Sequence, residues 1–287
     1  MRWIVTIIFA VLPAAADWSA SYRLGEDFLQ QGRTEDALRV LKAALEERPG
    51  EAAILDALGR TELTVGRYRS AKRYFEKASL ATTDNAVPLT NMAQACFALR
   101  EYRRAEQLLR QALACQPGSG EAWRLLGQVL FKFRRYQDAE SAWTKAQAIA
   151  YDPLIWSDLG VLYAEQHRDE LGIEMLRRAI SEGSPGQRRA RVRANLAELQ
   201  WKHGDREGAK TGFQRALDEM QSSVGRNHPD IAAILEKYSQ VLKRSGLKAE
   251  AQDAADRAAR IHAAFDFQTN RNGLTTDWRD DIRPPER

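Results

Sequence analysis

The 287-residue sequence is poor in the groups that usually carry chemistry or covalent staples. Its two cysteines exclude a disulfide-stapled mini-fold and a Cys-rich zinc site. His167, His203, His228 and His262 are scattered, and no pair has the i, i+4 spacing with a Glu that a helical zinc site needs. There is no Gly-x-Gly-x-x-Gly and no phosphate loop. Ser245-Gly246-Leu247-Lys248 matches a bare Ser-x-x-Lys without any partner motif. No nucleophile has an evident base, so neither catalysis, metal nor cofactor is expected, and the chain reads as not an enzyme. No apolar run reaches the ~20 residues of a spanning helix. Charge of one sign is also lacking: 43 basic against 39 acidic residues leave +4, too little to indicate a nucleic-acid partner.

What remains favours helix. The chain is 44% hydrophobic and 29% charged, too apolar to be disordered as a whole and too charged to span a membrane repeatedly. Ala, Leu, Arg, Glu and Gln dominate, and all are good or fair helix formers. The N-terminus reads differently. Arg2 precedes an apolar run from Trp3 to Leu12, then Pro13-Ala14-Ala15-Ala16, before the chain turns polar at Asp17. That order is a secretory signal with cleavage expected after Ala16, which would place the protein in the periplasm or outside the cell. An uncleaved anchor is the alternative. Export argues further against nucleic acid.

A 34-residue step organises the rest. Ala37, Ala71, Ala105 and Ala139 keep it, as do Ala44, Ala78, Ala112 and Ala146. Leu24, Leu58, Met92 and Leu126 follow it, next to Gly25, Gly59, Ala93 and Gly127, and so do Tyr68, Tyr102 and Tyr136. Three further copies continue it with small insertions, giving units near 18–51, 52–85, 86–119, 120–152, 153–186, 190–223 and 232–265. Each unit reads as two helices. In the second copy they run from about Ala52 to Thr64 and from Ser70 to Ala81, broken at Gly66. Small residues such as Gly59 and Ala71 let the paired backbones approach. Phe75 and its equivalents Leu41, Leu109, Trp143 and Phe213 are expected to fill the gap toward the neighbouring unit. Cys96 falls just before a helix–helix turn and Cys115 near the far end of the returning helix, an offset of roughly ten residues or about 15 Å at ~1.5 Å per residue, so two free thiols are expected, Cys96 packed inside and Cys115 near the surface.

This pattern resembles the tetratricopeptide repeat, most clearly at Trp123, Leu126, Gly127, Leu130, Ala139, Trp143 and Ala146. The resemblance implies an all-α, right-handed α-solenoid of about seven helix-turn-helix repeats over residues 17–265. Four positions depart from it: Glu62 and Gln200 where an apolar or aromatic residue is usual, Arg193 for Trp or Leu, and Gly172 for Ala. These are expected to weaken their units. The last two units, with Ala194 to Leu199 and His228-Pro229-Asp230, are similar to the repeats of kinesin light chains. Residues 266–287 are expected to form a disordered polar tail.

Stacked units of this family offer a concave groove lined by the first helices, suited to a peptide or partner protein. The resemblance places Asn91, Phe97, Arg124, Gln128, Phe131, Arg191, Asn195 and Trp201 along that groove. It implies that Asn91 and Asn195 pair with a ligand backbone, since one amide both donates and accepts. Arg124 and Arg191 would then attract carboxylates. A merely solvated face is the alternative. Residues 52–151 also hold 15 basic against 9 acidic residues. Arg67, Arg69, Arg103, Arg104, Arg134 and Arg135 at the turns form a basic rim that could dock an anionic envelope polymer, lipid or acidic protein. Exposed charge that keeps a solenoid soluble explains it equally. The expected function is a non-catalytic protein–protein interaction scaffold. The alternatives are an adaptor working through the rim at a membrane surface or the envelope, and a structural subunit of a larger envelope or secretion assembly. The oligomeric state and the partner's identity stay open.

Overall fold

The structure is a computed structural model that describes residues 18–82, 86–226 and 228–271. The expected signal segment, residues 1–16, lies outside them, as does the chain beyond 271. The described residues form fourteen α-helices and no strand. Two compact units divide between Lys132 and Phe133. The first holds α1 (Trp18–Gln30), α2 (Thr34–Glu47), α3 (Ala52–Thr64), α4 (Tyr68–Ala81), α5 (Ala86–Ala98), α6 (Tyr102–Cys115) and α7 (Gly120–Lys132). The second holds α8 (Tyr136–Ile149), α9 (Pro153–Glu165), α10 (Asp169–Glu182), α11 (Gln187–Lys202), α12 (Arg206–Val224), α13 (Pro229–Arg244) and α14 (Lys248–Arg271). In each unit a helix packs on the next in sequence, and alternate helices also touch: α1 on α3, α3 on α5, α5 on α7, then α9 on α11 and α11 on α13. Each unit is thus a stack of helical hairpins, an all-α repeat solenoid. No helix among the described residues is long and apolar enough to cross a membrane.

Close approach inside the hairpins depends on glycine facing a bulky side chain. A Cβ on Gly59 would come within 2.4 Å of the Phe75 ring, and one on Gly25 within 2.6 Å of Leu41. Phe75 therefore fills its own hairpin, above Gly59, where the sequence reading had aimed it at the neighbouring unit. Gly172 is corrected in the same way. It faces Gly160 across the α9–α10 crossing, each glycine's Cβ position lying 3.0–3.1 Å from the other's carbonyl oxygen. A missing methyl here permits contact instead of weakening the unit. The Leu24 column shows what stacking adds. Leu58, Met92 and Leu126 are buried, whereas Leu24, on the first described helix, is 45% exposed. That column packs toward the preceding hairpin, and α1 has none among the described residues.

A second device closes the first helices. Gly32, Gly66, Arg100, Arg134, His167, Gly204 and Gly246 all have left-handed backbone, with φ between 58° and 96°. The next residue's N–H then reaches back five positions to a helix carbonyl, as in Arg67 to Glu62 and Glu101 to Cys96, both at 2.8 Å. This is the glycine-type helix stop. Arg100, Arg134 and His167 adopt it despite a Cβ that makes it cost about 1–2 kcal/mol each.

Insertions are absorbed by longer helices, not by loops. α1 to α10 have 13 or 14 residues, whereas α11 and α13 have 16, α12 has 19 and α14 has 24. α14 continues to Arg271, six residues past the solenoid end expected at 265. No glycine or proline interrupts the chain before Gly273, so nothing stops the helix earlier. Cys96 is buried and Cys115 exposed, as their spacing places them. Burial pushes the Cys96 thiol up to about 12, with Glu101 adding to the shift.

Gly59→Ala is expected to lose about 1–2 kcal/mol in urea unfolding, because overpacking against Phe75 outweighs the ~1 kcal/mol of helix propensity gained. Adding Phe75→Leu copies the Ala93–Leu109 combination of the third repeat. The double variant should therefore be more stable than Gly59→Ala alone. Equal stability of wild type and Gly59→Ala would refute the packing account.

Candidate functional site

The first helices of each unit carry side chains that bridge from one repeat to the next. In the first unit, Arg60 on α3 bonds Glu26 on α1 at 2.6 Å and Asp56 on its own helix at 2.9 Å. Asp56 in turn accepts from the Asn91 amide on α5 at 2.7 Å. Glu26, Arg60, Asp56 and Asn91 thus form one polar ladder across three helices, with two carboxylates to one cation. Burial and the nearby Glu26 raise the Tyr22 pKa beside it. Asn91 is half-buried, and one of its two amide N–H groups is already engaged within the protein. Phe97 packs edge-on against Tyr102 at 5.4 Å, closer to the turn than to the middle of the face. Arg124, Gln128 and Phe131 are half-buried on α7.

The second unit has the opposite balance. α9, α11 and α13 border a cleft of about 590 Å³. Asn195 on α11 accepts from Lys237 of α13 at 3.0 Å, and Lys237 also bonds Glu198 at 2.7 Å. Lys202, in the last turn of α11, bonds Asp169 at 3.0 Å. Arg134 and Arg244 complete the basic lining. Asn195 lines this cleft. Lys202, Lys237 and Arg244 escaped the sequence reading, although Lys202 and Arg244, in the last turns of α11 and α13, were visible in the sequence. Basic residues suit those positions, because the carbonyl ends of helices favour cations.

α11 owes its placement to Glu219 on α12. This carboxylate accepts from the Gly186 backbone N–H at 2.9 Å, from Arg189 at 2.7 Å and from Arg193 at 2.9 Å. Arg193, which departs from the usual apolar residue, has therefore exchanged packing for an ion pair. Burial alone would raise the Glu219 pKa, but the Gly186 N–H and the two guanidinium groups together hold it below the ordinary value.

Two groove assignments change. Trp201 is 8% exposed and belongs to the core between α11, α12 and α13. Its indole N–H donates to Ser245, the residue that ends α13. Arg191 is exposed and pairs with Asp230 at 2.7 Å, away from the cleft lining. The basic rim also divides. Arg67 is held by Glu35 and Glu62 at 3.4 and 3.5 Å, and Arg135 by Asp138 at 2.7 Å. Arg69, Arg103 and Arg104 are exposed with no ion pair among the described residues.

Glu62 also has a physical account. It is buried and occupies the place that Phe28 and Tyr163 hold in other repeats. Arg33 lies 4.3 Å over Phe28 and Arg168 4.5 Å over Tyr163, a cation–π contact in each case. In the second repeat Glu62 and Arg67 replace that contact by an ion pair.

A family model of the tetratricopeptide repeat matches residues 28–88, 62–129 and 97–159. Residues 28–159 carry tetratricopeptide repeats, and the matches end before the segment likened to kinesin light chains. Among solved structures, a tetratricopeptide repeat protein from Parabacteroides merdae is similar with a TM-score of 0.65 at 19% identity, over 85% of this chain and 93% of that one. Pseudomonas aeruginosa pilF gives 0.58 at 22%, over 72% and 94%. A thermophilic TPR protein of Thermus thermophilus gives 0.56 at 21%, over 63% and 98%. These likenesses concern the fold. No curated protein matches the sequence.

Glu219→Gln is expected to cost about 2 kcal/mol near neutral pH, since charge-assisted bonds are lost from a half-buried site. A lowered pKa means that the stabilisation is present above the ordinary carboxylate value of 4.5 and is lost as pH falls through the depressed one. Unfolding midpoints of wild type and variant should therefore converge on acidification. A constant gap would show that Glu219 acts by shape alone.

Proposed function

We propose that this protein is an exported, non-catalytic scaffold that holds a partner protein or peptide on the first-helix face of its repeats. The observation that carries this reading is the cleft of about 590 Å³ in the second unit, which Asn195 lines. Tetratricopeptide repeat proteins generally act as interaction scaffolds. A stack of hairpins supplies a preformed surface, so binding need not order the backbone first. Among the described residues no group of His, Cys, Asp and Glu could hold a metal ion. Docking through the basic rim is the weaker reading, because Arg67 and Arg135 are already neutralised by Glu35, Glu62 and Asp138. Export rests on the N-terminal sequence: the mature protein recovered from the envelope or medium is expected to begin at Asp17.

Site-specific photocrosslinking in the native host tests the binding face. A photoreactive residue in place of Asn195 is expected to give a discrete adduct. The same residue in place of Arg177, exposed on α10, should give none. Adducts of equal strength from both positions, or from Arg177 alone, would end the reading.

A further inference from the structure

The cleft has a charge preference, and naming it rests on the scaffold reading above. Of its four cations two are spent: Lys237 on Glu198 and Asn195, and Lys202 on Asp169. The other two are not. Arg134 and Arg244 both line the cleft, both are exposed, and neither makes an ion pair among the described residues. Glu165 and Glu198 are the only carboxylates in the lining, so cations exceed anions by two. Arg134 is also held at a left-handed turn, φ 58°, which fixes the backbone from which its side chain reaches out. The remaining wall is apolar, formed by Tyr136, Val161, Leu176 and Leu199.

We propose that this cleft receives an acidic segment of the partner in which carboxylate side chains alternate with aliphatic ones. Guanidinium groups bond carboxylates bidentately, and charge-assisted bonds of this kind are the strong ones. The aliphatic neighbours settle on Val161 and the half-buried Tyr136 ring, above a floor of Leu176 and Leu199. A volume of about 590 Å³ lies within the ~300–1,000 Å³ of ordinary ligand clefts, enough for a few side chains rather than a folded domain. Charge complementarity selects acidic over basic segments. The apolar wall selects a peptide over a polyanion that offers only charge.

The test uses the full chain and a fluorescent decapeptide alternating glutamate with leucine, amidated so that no terminal carboxylate takes part. Binding by anisotropy is expected to exceed that of the glutamine-for-glutamate peptide by about tenfold to a hundredfold. It should weaken with added salt. Arg134→Asn, chosen because Asn tolerates left-handed backbone, and Arg244→Gln should each remove most of the preference while leaving helicity and unfolding midpoint near wild type. Equal binding of the two peptides would overturn the charge assignment and leave the scaffold reading intact. Failure of any peptide to bind, together with no crosslinks from position 195, would remove both. Equal binding of polyglutamate or an oligonucleotide, unaffected by Arg134→Asn, would identify a non-specific polyanion surface and overturn the proposal.

Discussion

The packing of a bulky side chain against a bare backbone is the contact on which both units depend. Gly25 beneath Leu41, Gly59 beneath Phe75 and Gly160 beneath Leu176 bring paired helices close enough to share one core layer. None of these hairpins could bury that layer alone, and each neighbour covers what the last leaves open. Everything on the first-helix face follows from the resulting register. Glu26, Arg60, Asp56 and Asn91 can join across three repeats only because successive first helices lie side by side at equivalent heights.

The period made most of this legible. Ala52–Thr64 was read to the residue, and the partner helix begins at Tyr68, two residues before the expected Ser70. What the period could not give was compensation. It marked Glu62, Gly172, Arg193 and Gln200 as deviants without showing what answers each. Arg67 answers Glu62, the Gly160 backbone answers Gly172, and Glu219 answers Arg193 from 26 residues away. Gln200 bonds Asp205, the residue that caps α12. A one-dimensional pattern records identity by column, whereas these solutions cross columns and often helices.

The candidate site was legible in part for the same reason. Asn195 could be placed by counting within a repeat. Its companions Lys202, Lys237 and Arg244 come from two successive first helices, and only the packing of α13 on α11 brings them to one cleft. At the equivalent place to Trp201, Phe97 stays half-exposed beside Tyr102, whereas Ser245 at the end of α13 accepts from the Trp201 indole, which belongs to the core. The two units therefore share a plan and differ in the sign of their first-helix faces, acidic in the ladder of the first and basic in the cleft of the second.

Among the described residues, three of the seven left-handed turns that end first helices forgo the residue that suits them best. Glycine at the Arg134 tip would relax a turn that now carries a side-chain penalty, and it would also delete a cation from the cleft wall. Backbone ease and cleft charge thus pull in opposite directions at that corner. Any search for hardier versions of this chain that screens only for heat resistance will drift toward glycine there and select a sturdier molecule whose cleft has one cation fewer.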